Sequence, residues 1–329
     1  MNKILFCGDP HTMIPNLEDS QRLLDFIYET AQKQAVKAIV FTGDLFHNHA
    51  VVRLEILKFW RDNLTKLSEL GIPVVVEAGN HDMVNPKQST KMITAISNFE
   101  GIKNIRIVED MAVFDFGVKV AVVGYKAEQA DFLDRAQKAK DAGANVIVAH
   151  QTFTGAKYAN GFYAEDGIDP ALVPQDSLIS GHIHSTMQIG KCFYVGSPKA
   201  DNMADANVAK GIWVIDFAND GSSYEKTFFS TDDVVTCYKK FVVEEGQGLP
   251  PMNPKHKNYL ELVGAIAWIN SVKKELKGTE NLQIKAVPTD VRINQEKRSI
   301  KGIDSFLDEY FKPIDGISKQ QIVDMLSEL

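Results

Sequence analysis

An α/β fold with two sheets packed face to face is the architecture this sequence predicts, and three observations carry that expectation. Short runs rich in Val, Ile and Phe alternate with longer segments of helical periodicity. The early runs each end in a polar motif, as strands do when they deliver side chains to one edge of a sheet. After about residue 186 the helical segments give way to strand-like pieces separated by turns, which predicts a second sheet against the first.

Taken in order, 3–7 reads as a buried strand, 17–35 as a helix, 38–42 as a strand, 52–70 as a helix and 73–77 as a third strand. Further on, strands over 118–123 and 145–149 flank a helix over 127–142, and 178–180 runs into another polar motif. Strands then follow over 187–189, 193–195, 212–217 and 224–229, with Asn219, Asp220 and Gly221 forming a hairpin-type turn signal. Near Ser230 the pattern weakens, and 246–254 (GQGLPPMNP), with three prolines and two glycines, is the best linker segment. A boundary is expected between these points. Beyond it come a strand over 258–263, a helix over 265–276, a strand over 282–287, and two short helices over 303–311 and 318–329.

Composition narrows the classes. Apolar residues make up 44% and charged residues 24% of the 329, which is ordinary globular usage with no run near the roughly 20 apolar residues of a membrane span. The opening MNKILFCGDPH enters a strand directly and lacks the pattern of a secretory signal, so the cytoplasm is the expected compartment. Cys7, Cys192 and Cys237 are odd in number and far apart, which argues against a disulfide framework or a cysteine zinc site. The net charge of −7 disfavours indiscriminate nucleic-acid binding without excluding a local patch.

The chemistry lies in five short motifs, each after an expected strand. They are GDPH with Asp9 and His11, GDLFH with Asp44 and His47, GNHD with Asn80, His81 and Asp82, AHQ with His150, and GHIH with His182 and His184. A single strand-end histidine is usually structural, and a single GD is usually a turn. Five together, at edges where α/β sheets bind ligands, predict one site assembled from distant segments. Carboxylate, imidazole and amide donors without thiolate suit borderline to hard divalent cations, manganese foremost and magnesium, iron or zinc as alternatives. An alternating pair at the end of a strand, Asp9 and His11 or His182 and His184, has both side chains on one face, so each pair can aim at one site. The glycines before Asp9, Asp44, Asn80 and His182 suit tight turns in which backbone comes close to the ions.

This ordered set resembles the calcineurin-like metallophosphoesterases over about residues 1–230. GDLFH, the segment from His150 through GHIH, and YVGSPKAD followed by KGIWVID look like the SbcD-type nuclease subunits of prokaryotic double-strand-break repair complexes. The resemblance implies a four-layer α/β/β/α sandwich over 1–230, a small α+β DNA-contacting cap with its linker over 231–300, and a C-terminal helical docking segment over 301–329. It implies that Asp9, His11, Asp44 and His184 hold one ion, that Asp44, Asn80, His150 and His182 hold the other, and that Asp44 bridges them. His81 would stabilise charge at the scissile phosphate or protonate the leaving oxygen, and His47 would orient or support it. Asp82 would either fix the orientation of His81 or serve the turn. The activity implied is a manganese-dependent DNA nuclease, a 3′ to 5′ exonuclease with possible endonuclease action, in which two dications activate solvent for in-line attack. Double-strand ends and single-strand/duplex junctions would be its substrates, an SbcC-like SMC-family ATPase its partner, and a homodimer its assembly, without a membrane. No GxxxxGK[ST] phosphate loop occurs, so any ATP-driven step belongs to another chain. The rivals are a phosphodiesterase or phosphatase for small nucleotides or lipids, and a non-catalytic scaffold that bridges DNA ends.

Three further features are ambiguous in sequence. Gly196, Ser197 and Pro198 fit a turn as well as a substrate contact. Phe153, Lys157, Tyr158, Phe162 and Tyr163 could cover the core or stack on unpaired bases. Residues 255–301 carry ten Lys or Arg against five Asp or Glu, which fits a DNA-facing cap or a solvated helix face.

Overall fold

The computed structural model describes residues 2–49, 51–87, 93–158 and 161–290. The two expected C-terminal helices, and residues 291–301 of the basic segment, lie outside the described residues. The chain divides into two compact units, the first comprising Met1–Lys240, Pro251–Tyr259 and Glu280–Gln283, the second Phe241–Pro250, Leu260–Thr279 and the residues from Ile284.

The first unit begins with β1 (Asn2–Cys7), α1 (Leu17–Gln34), β2 (Ala38–Phe41), α2 (Leu54–Ser68), β3 (Val74–Glu77) and β4 (Ile105–Val108). It continues through β5 (Met111–Asp115), β6 (Lys119–Val123), α3 (Gln129–Asp141), β7 (Val146–Ala149) and β8 (Ser177–Ser180). β9 (Met187–Ile189), β10 (Cys192–Tyr194), β11 (Gly211–Phe217) and β12 (Tyr224–Ser230) complete two six-stranded sheets, ordered β12-β11-β1-β2-β3-β4 and β5-β6-β7-β8-β10-β9. β1 to β4 run parallel, as do β6 to β8 with β10, and β5, β9, β11 and β12 add antiparallel pairings.

Period-two alternation within these strands makes the four layers. Leu5, Ile39, Phe41, Val74 and Val76 point outward and pack with Leu23, Leu24 and Ile27 of α1 and Trp60 and Leu64 of α2. Ile4, Phe6, Val40 and Val75 point the other way and meet Val120, Val122, Val148, Ile179 and Phe193 between the sheets. The far side of the second sheet, through Ala121, Ile147 and Leu178, is covered by Phe132, Ala136 and Ala139 of α3. The α/β/β/α sandwich expected from the sequence is therefore the fold, and strands buried on both faces explain why they read as unbroken apolar runs.

The remaining strands, β13 (Tyr238–Glu244), β14 (Lys257–Gly264) and β15 (Leu282–Pro288), form a three-stranded sheet in that order, with α4 (Ile266–Glu275) between the last two. β4, β5 and β13 are absent from the sequence reading, which passes over the first two and treats the third as the approach to a linker. Within the second unit, Lys285 pairs with Glu261 at 3.4 Å. All three cysteines are free and buried, and no described helix is long and apolar enough to cross a membrane.

Candidate metal centre

The five motifs follow β1, β2, β3, β7 and β8, at the C-terminal ends of parallel strands in both sheets. Hydrogen bonds between the two sheets' loops draw them together. The backbone N–H of His182 donates to Asp9 Oδ1 at 2.8 Å, and Nδ1 of His150 lies 2.7 Å from the carbonyl of Thr42. A carbonyl only accepts, so His150 carries its proton on Nδ1 and turns Nε2 into the site.

Two donor clusters meet at one carboxylate. Asp9, His11 and His184 present ligand atoms within 4.8 Å of one another, and so do Asp44, His150 and His182. Asp44 Oδ2 lies 3.2 Å from His150 Nε2 in its own cluster and 3.6 Å from His11 Nε2 in the neighbouring one. Asn80 turns its Oδ1 to His182 Nδ1 at 2.9 Å and His150 Nε2 at 3.0 Å, joining the second cluster. His11 Nε2 and His184 Nε2 face each other at 3.0 Å. All seven residues expected as ligands therefore converge.

The donor set fits divalent cations on grounds internal to the site. Asp9 Oδ2 is buried without a hydrogen-bond partner, and buried polar atoms are ordinarily paired. Facing imidazole nitrogens and clustered carboxylates are likewise arrangements that a cation satisfies. Without one, burial pushes the Asp9 carboxyl up to about 7, opposed by His150 and reinforced by Asp44. Burial also favours the neutral form of Asp44, but His150 and His11 outweigh it and hold that carboxyl far below its usual range. His150 is raised to about 10 against the effect of burial, by Asp44 and then Asp9. Burial, followed by repulsion from His150, lowers His182 to about 3, and burial lowers His184 to about 4.

These shifts give a stability prediction. The folded-state pKa of Asp9 lies above its unfolded value, so between about 4 and 7 the folded protein binds more protons than the unfolded chain. Metal-free protein therefore loses stability as pH rises through that window and carries the full penalty above it. Asp9→Asn keeps an acceptor for His182 and removes the charge. It is expected to stabilise the metal-free protein by about 2–4 kcal/mol at pH 8 and by little near pH 4. Urea unfolding in chelator at the two pH values checks this, and equal effects at both would contradict it.

The paired residues do not follow the strand alternation expected of them. Asp9 and His11 have φ of 36° and 41°, and His182 has φ of 77°, so these residues lie beyond the strands in the left-handed region. His182 and His184 consequently part, one to each cluster, and do not share a site. Asp44 is left-handed too, at φ 54°. Such non-glycine positions cost of order 1–3 kcal/mol each and persist where surrounding structure holds them. The neighbouring glycines leave room for the donor side chains: a Cβ at Gly79 would overlap the Asp44 carboxylate, and one at Gly43 would overlap the His150 ring.

His81 lies over the first cluster, its ring 4.7 Å from that of His11. Its Nδ1 is 2.6 Å from the backbone carbonyl of His47, and its backbone N–H donates to Asp44 Oδ1 at 2.8 Å. His47 thus holds His81 through its main chain, while its own half-buried ring joins His11 and Asp201 in a further cluster. Asp82 does not face His81. Its buried carboxylate accepts from the backbone N–H groups of Asp44 at 2.8 Å, Gly79 at 2.9 Å and Phe46 at 3.2 Å, which locks the GDLFH loop to the GNHD loop. Of the two readings of Asp82, the geometry shows the turn.

Further residues frame the centre, and three of them, Lys199, Asp201 and Lys210, lie within the YVGSPKAD and KGIWVID segments. His49 stacks on His81 with centroids 4.0 Å apart, and its signal was the HisAsnHis spacing after GDLF. Asp201 lies 3.6 Å from His184 Nδ1. Two buried lysines brace the ligands from behind: Lys199 Nζ donates to the carbonyl of His11 at 3.2 Å and Lys210 Nζ to that of His184 at 3.0 Å. Lys210 also donates to Ser197 Oγ at 2.8 Å and pairs with Asp205 at 2.7 Å, with both side chains at most 2% exposed. Ser197 N–H bonds to the His184 carbonyl at 3.1 Å, so the GSP segment is buried scaffolding. Lys210→Met strands a buried carboxylate and is expected to cost about 3–5 kcal/mol, of which adding Asp205→Asn restores at least half. Urea denaturation of the single and double variants tests this, and a single variant as stable as the wild type would refute it.

A cluster of Asp, His and Asn donors at the mouths of two sandwiched sheets defines a metallophosphoesterase. The chain belongs to the calcineurin-like phosphoesterase family, whose model matches residues 2–186. It is similar to "Exonuclease subunit 1" of Enterobacteria phage T4, at 22% identity over 65% of this chain and 64% of that protein. It is also similar to "DNA double-strand break repair protein Mre11" of Methanopyrus kandleri, at 26% identity over 62% of this chain and 49% of that one. The matched stretch thus spans less than two thirds of either relative. Among solved structures, GAP50, "the anchor in the inner membrane complex of Plasmodium", aligns at TM-score 0.42 and 12% identity, over 70% of this chain and 85% of that chain.

Proposed function

We propose that this protein is a manganese-dependent DNA nuclease that processes DNA ends, a 3′ to 5′ exonuclease with endonuclease action on junctions. The observation that carries the reading is Asp44, poised between two donor clusters directly beneath His81. Divalent ions held by Asp9, His11, Asp44 and His184, and by Asp44, Asn80, His150 and His182, would supply charge stabilisation and a solvent nucleophile at neutral pH. The protein's own part is orientation and proton delivery. Thr42 fixes the His150 ring, Lys199 and Lys210 brace the main chain of His11 and His184, and Asp82 joins two ligand loops. With its Nδ1 proton donated to the His47 carbonyl, His81 exchanges protons through Nε2, which delivers one to the departing 3′ oxygen.

The names of the phage and archaeal relatives support DNA as the substrate over small phosphoesters. On the same reading, residues 1–230 form the nuclease domain, 231–300 the DNA-contacting cap and 301–329 the docking segment for an SbcC-like ATPase. The assembly is a homodimer in the cytoplasm. Purified protein with manganese is expected to shorten end-labelled duplex DNA. Hydrolysis of a small chromogenic diester with DNA left intact would establish the small-substrate phosphodiesterase in its place.

A further inference from the structure

The chain after His150 forms a hydrogen-bonded flap. Thr154 N–H donates to the carbonyl of Ile168 at 2.9 Å, Gly155 N–H to that of Ala164 at 2.8 Å, and Ala164 N–H to that of Ala156 at 2.8 Å. Its root is locked: the buried Tyr194 hydroxyl accepts from Phe153 N–H at 2.8 Å and donates to the Gln151 carbonyl at 2.9 Å. Phe153, Ala156, Ala164 and Ile168 turn into the core. The outer aromatics do the opposite, Tyr158, Phe162 and Tyr163 being 38%, 72% and 61% exposed. A structured flap that buries its small and branched residues and displays three rings is organised for contact.

Beside it lies a cavity of about 460 Å³ lined by Lys157, Tyr158 and Tyr163 on one side and by Ser185, Thr186 and Gln188 among others on the opposite one. Ser185, in that lining, directly follows His184 in the chain. Lys157 is the one charged residue among the described lining residues, and its Nζ lies 5.8 Å from the centroid of Tyr163. Aromatic rings beside a lone cation, in a cavity whose lining includes the residue after His184, suit a planar base joined to an anionic backbone. An internal paired base keeps both faces covered and a terminal pair offers only one, which favours an unpaired base as the occupant.

We propose that Tyr158 and Tyr163, with Lys157, form a stacking subsite for an unpaired base of the DNA strand that enters the metal centre, which makes the flap a determinant of preference for single-stranded ends. This rests on the nuclease reading above and names which DNA the site takes.

The test uses the full-length chain, manganese and two probes: a single-stranded 12-mer carrying 2-aminopurine and the same label inside a blunt duplex. Stacking is expected to lower the fluorescence of the single-stranded probe on binding and to leave the duplex probe, already quenched by its neighbouring base pairs, unchanged. Tyr158→Ala with Tyr163→Ala is expected to raise KM for the single strand by roughly 5- to 50-fold, with kcat within about twofold, and to remove the quench. Tyr163→Phe retains the quench, and Lys157→Ala weakens binding in a salt-dependent way. Equal KM and quench in the double variant and the wild type would overturn the subsite. So would a double variant that changes only sedimentation behaviour, since the rings would then belong to a contact between copies. Failure of the wild type to cut any DNA while it cleaves a small diester is a separate result, and it removes the nuclease reading itself.

Discussion

Asp44→Asn is expected to remove both cation sites together and to lower kcat/KM by roughly 10³-fold or more, about 4 kcal/mol of transition-state stabilisation. The expectation follows from where the carboxylate stands. Its Oδ2 is 3.6 Å from His11 in one cluster and 3.2 Å from His150 in the other, so neutralising it withdraws a shared anion from both. Asn keeps an acceptor for the N–H of His81, now 2.8 Å from Oδ1, so the loop is retained. Calorimetric titration with manganese separates this from unfolding, and a variant that still binds two ions with wild-type affinity would remove Asp44 from the shared position.

His81→Ala is the second large effect, of the opposite kind. His81 stands outside the proposed ligand set, so manganese binding is expected to stay near that of the wild type while turnover on DNA falls by roughly 10²- to 10⁴-fold. The loss depends on the leaving group. A departing 3′ alkoxide needs a proton and a nitrophenolate does not, so on a small nitrophenyl diester the loss is expected to be at most about tenfold. Equal losses on both substrates would show that His81 acts on the phosphoryl charge and not on the leaving oxygen. His47→Ala makes a useful contrast, because the carbonyl that holds His81 at 2.6 Å belongs to the main chain and survives that substitution.

The sandwich was legible because its strands are buried on both faces and end in motifs. Phe41 leads through Thr42 and Gly43 to Asp44, and Ser180 through Gly181 to His182. β5 and β13 were not legible because they are only partly buried, which blurs both alternation and apolar runs. Which residues converge was legible in residue type, and the family resemblance already separated His182 from His184, but strand alternation did not. Strand alternation sends His182 and His184 to one face, whereas a positive φ at His182 sends them apart. Asp82 illustrates the limit from another side. A carboxylate next to His81 in sequence reads as its partner, and only the fold reveals three backbone amides around it. The bracing lysines were hidden by the ordinary expectation that lysine is solvated, although Lys210 is 1% exposed. The aromatic segment after His150 had two readings in sequence, and its residues divide between them: Phe153 is core, while Tyr158, Phe162 and Tyr163 face outward.

Anomalous scattering from a crystal soaked in manganese puts the shared-carboxylate arrangement to its most direct trial. Two peaks are expected, one among Asp9, His11 and His184 and the other among Asn80, His150 and His182, with Asp44 within ligand distance of both. A single peak remote from Asp44, or full occupancy at sites that leave these seven residues unligated, would contradict it.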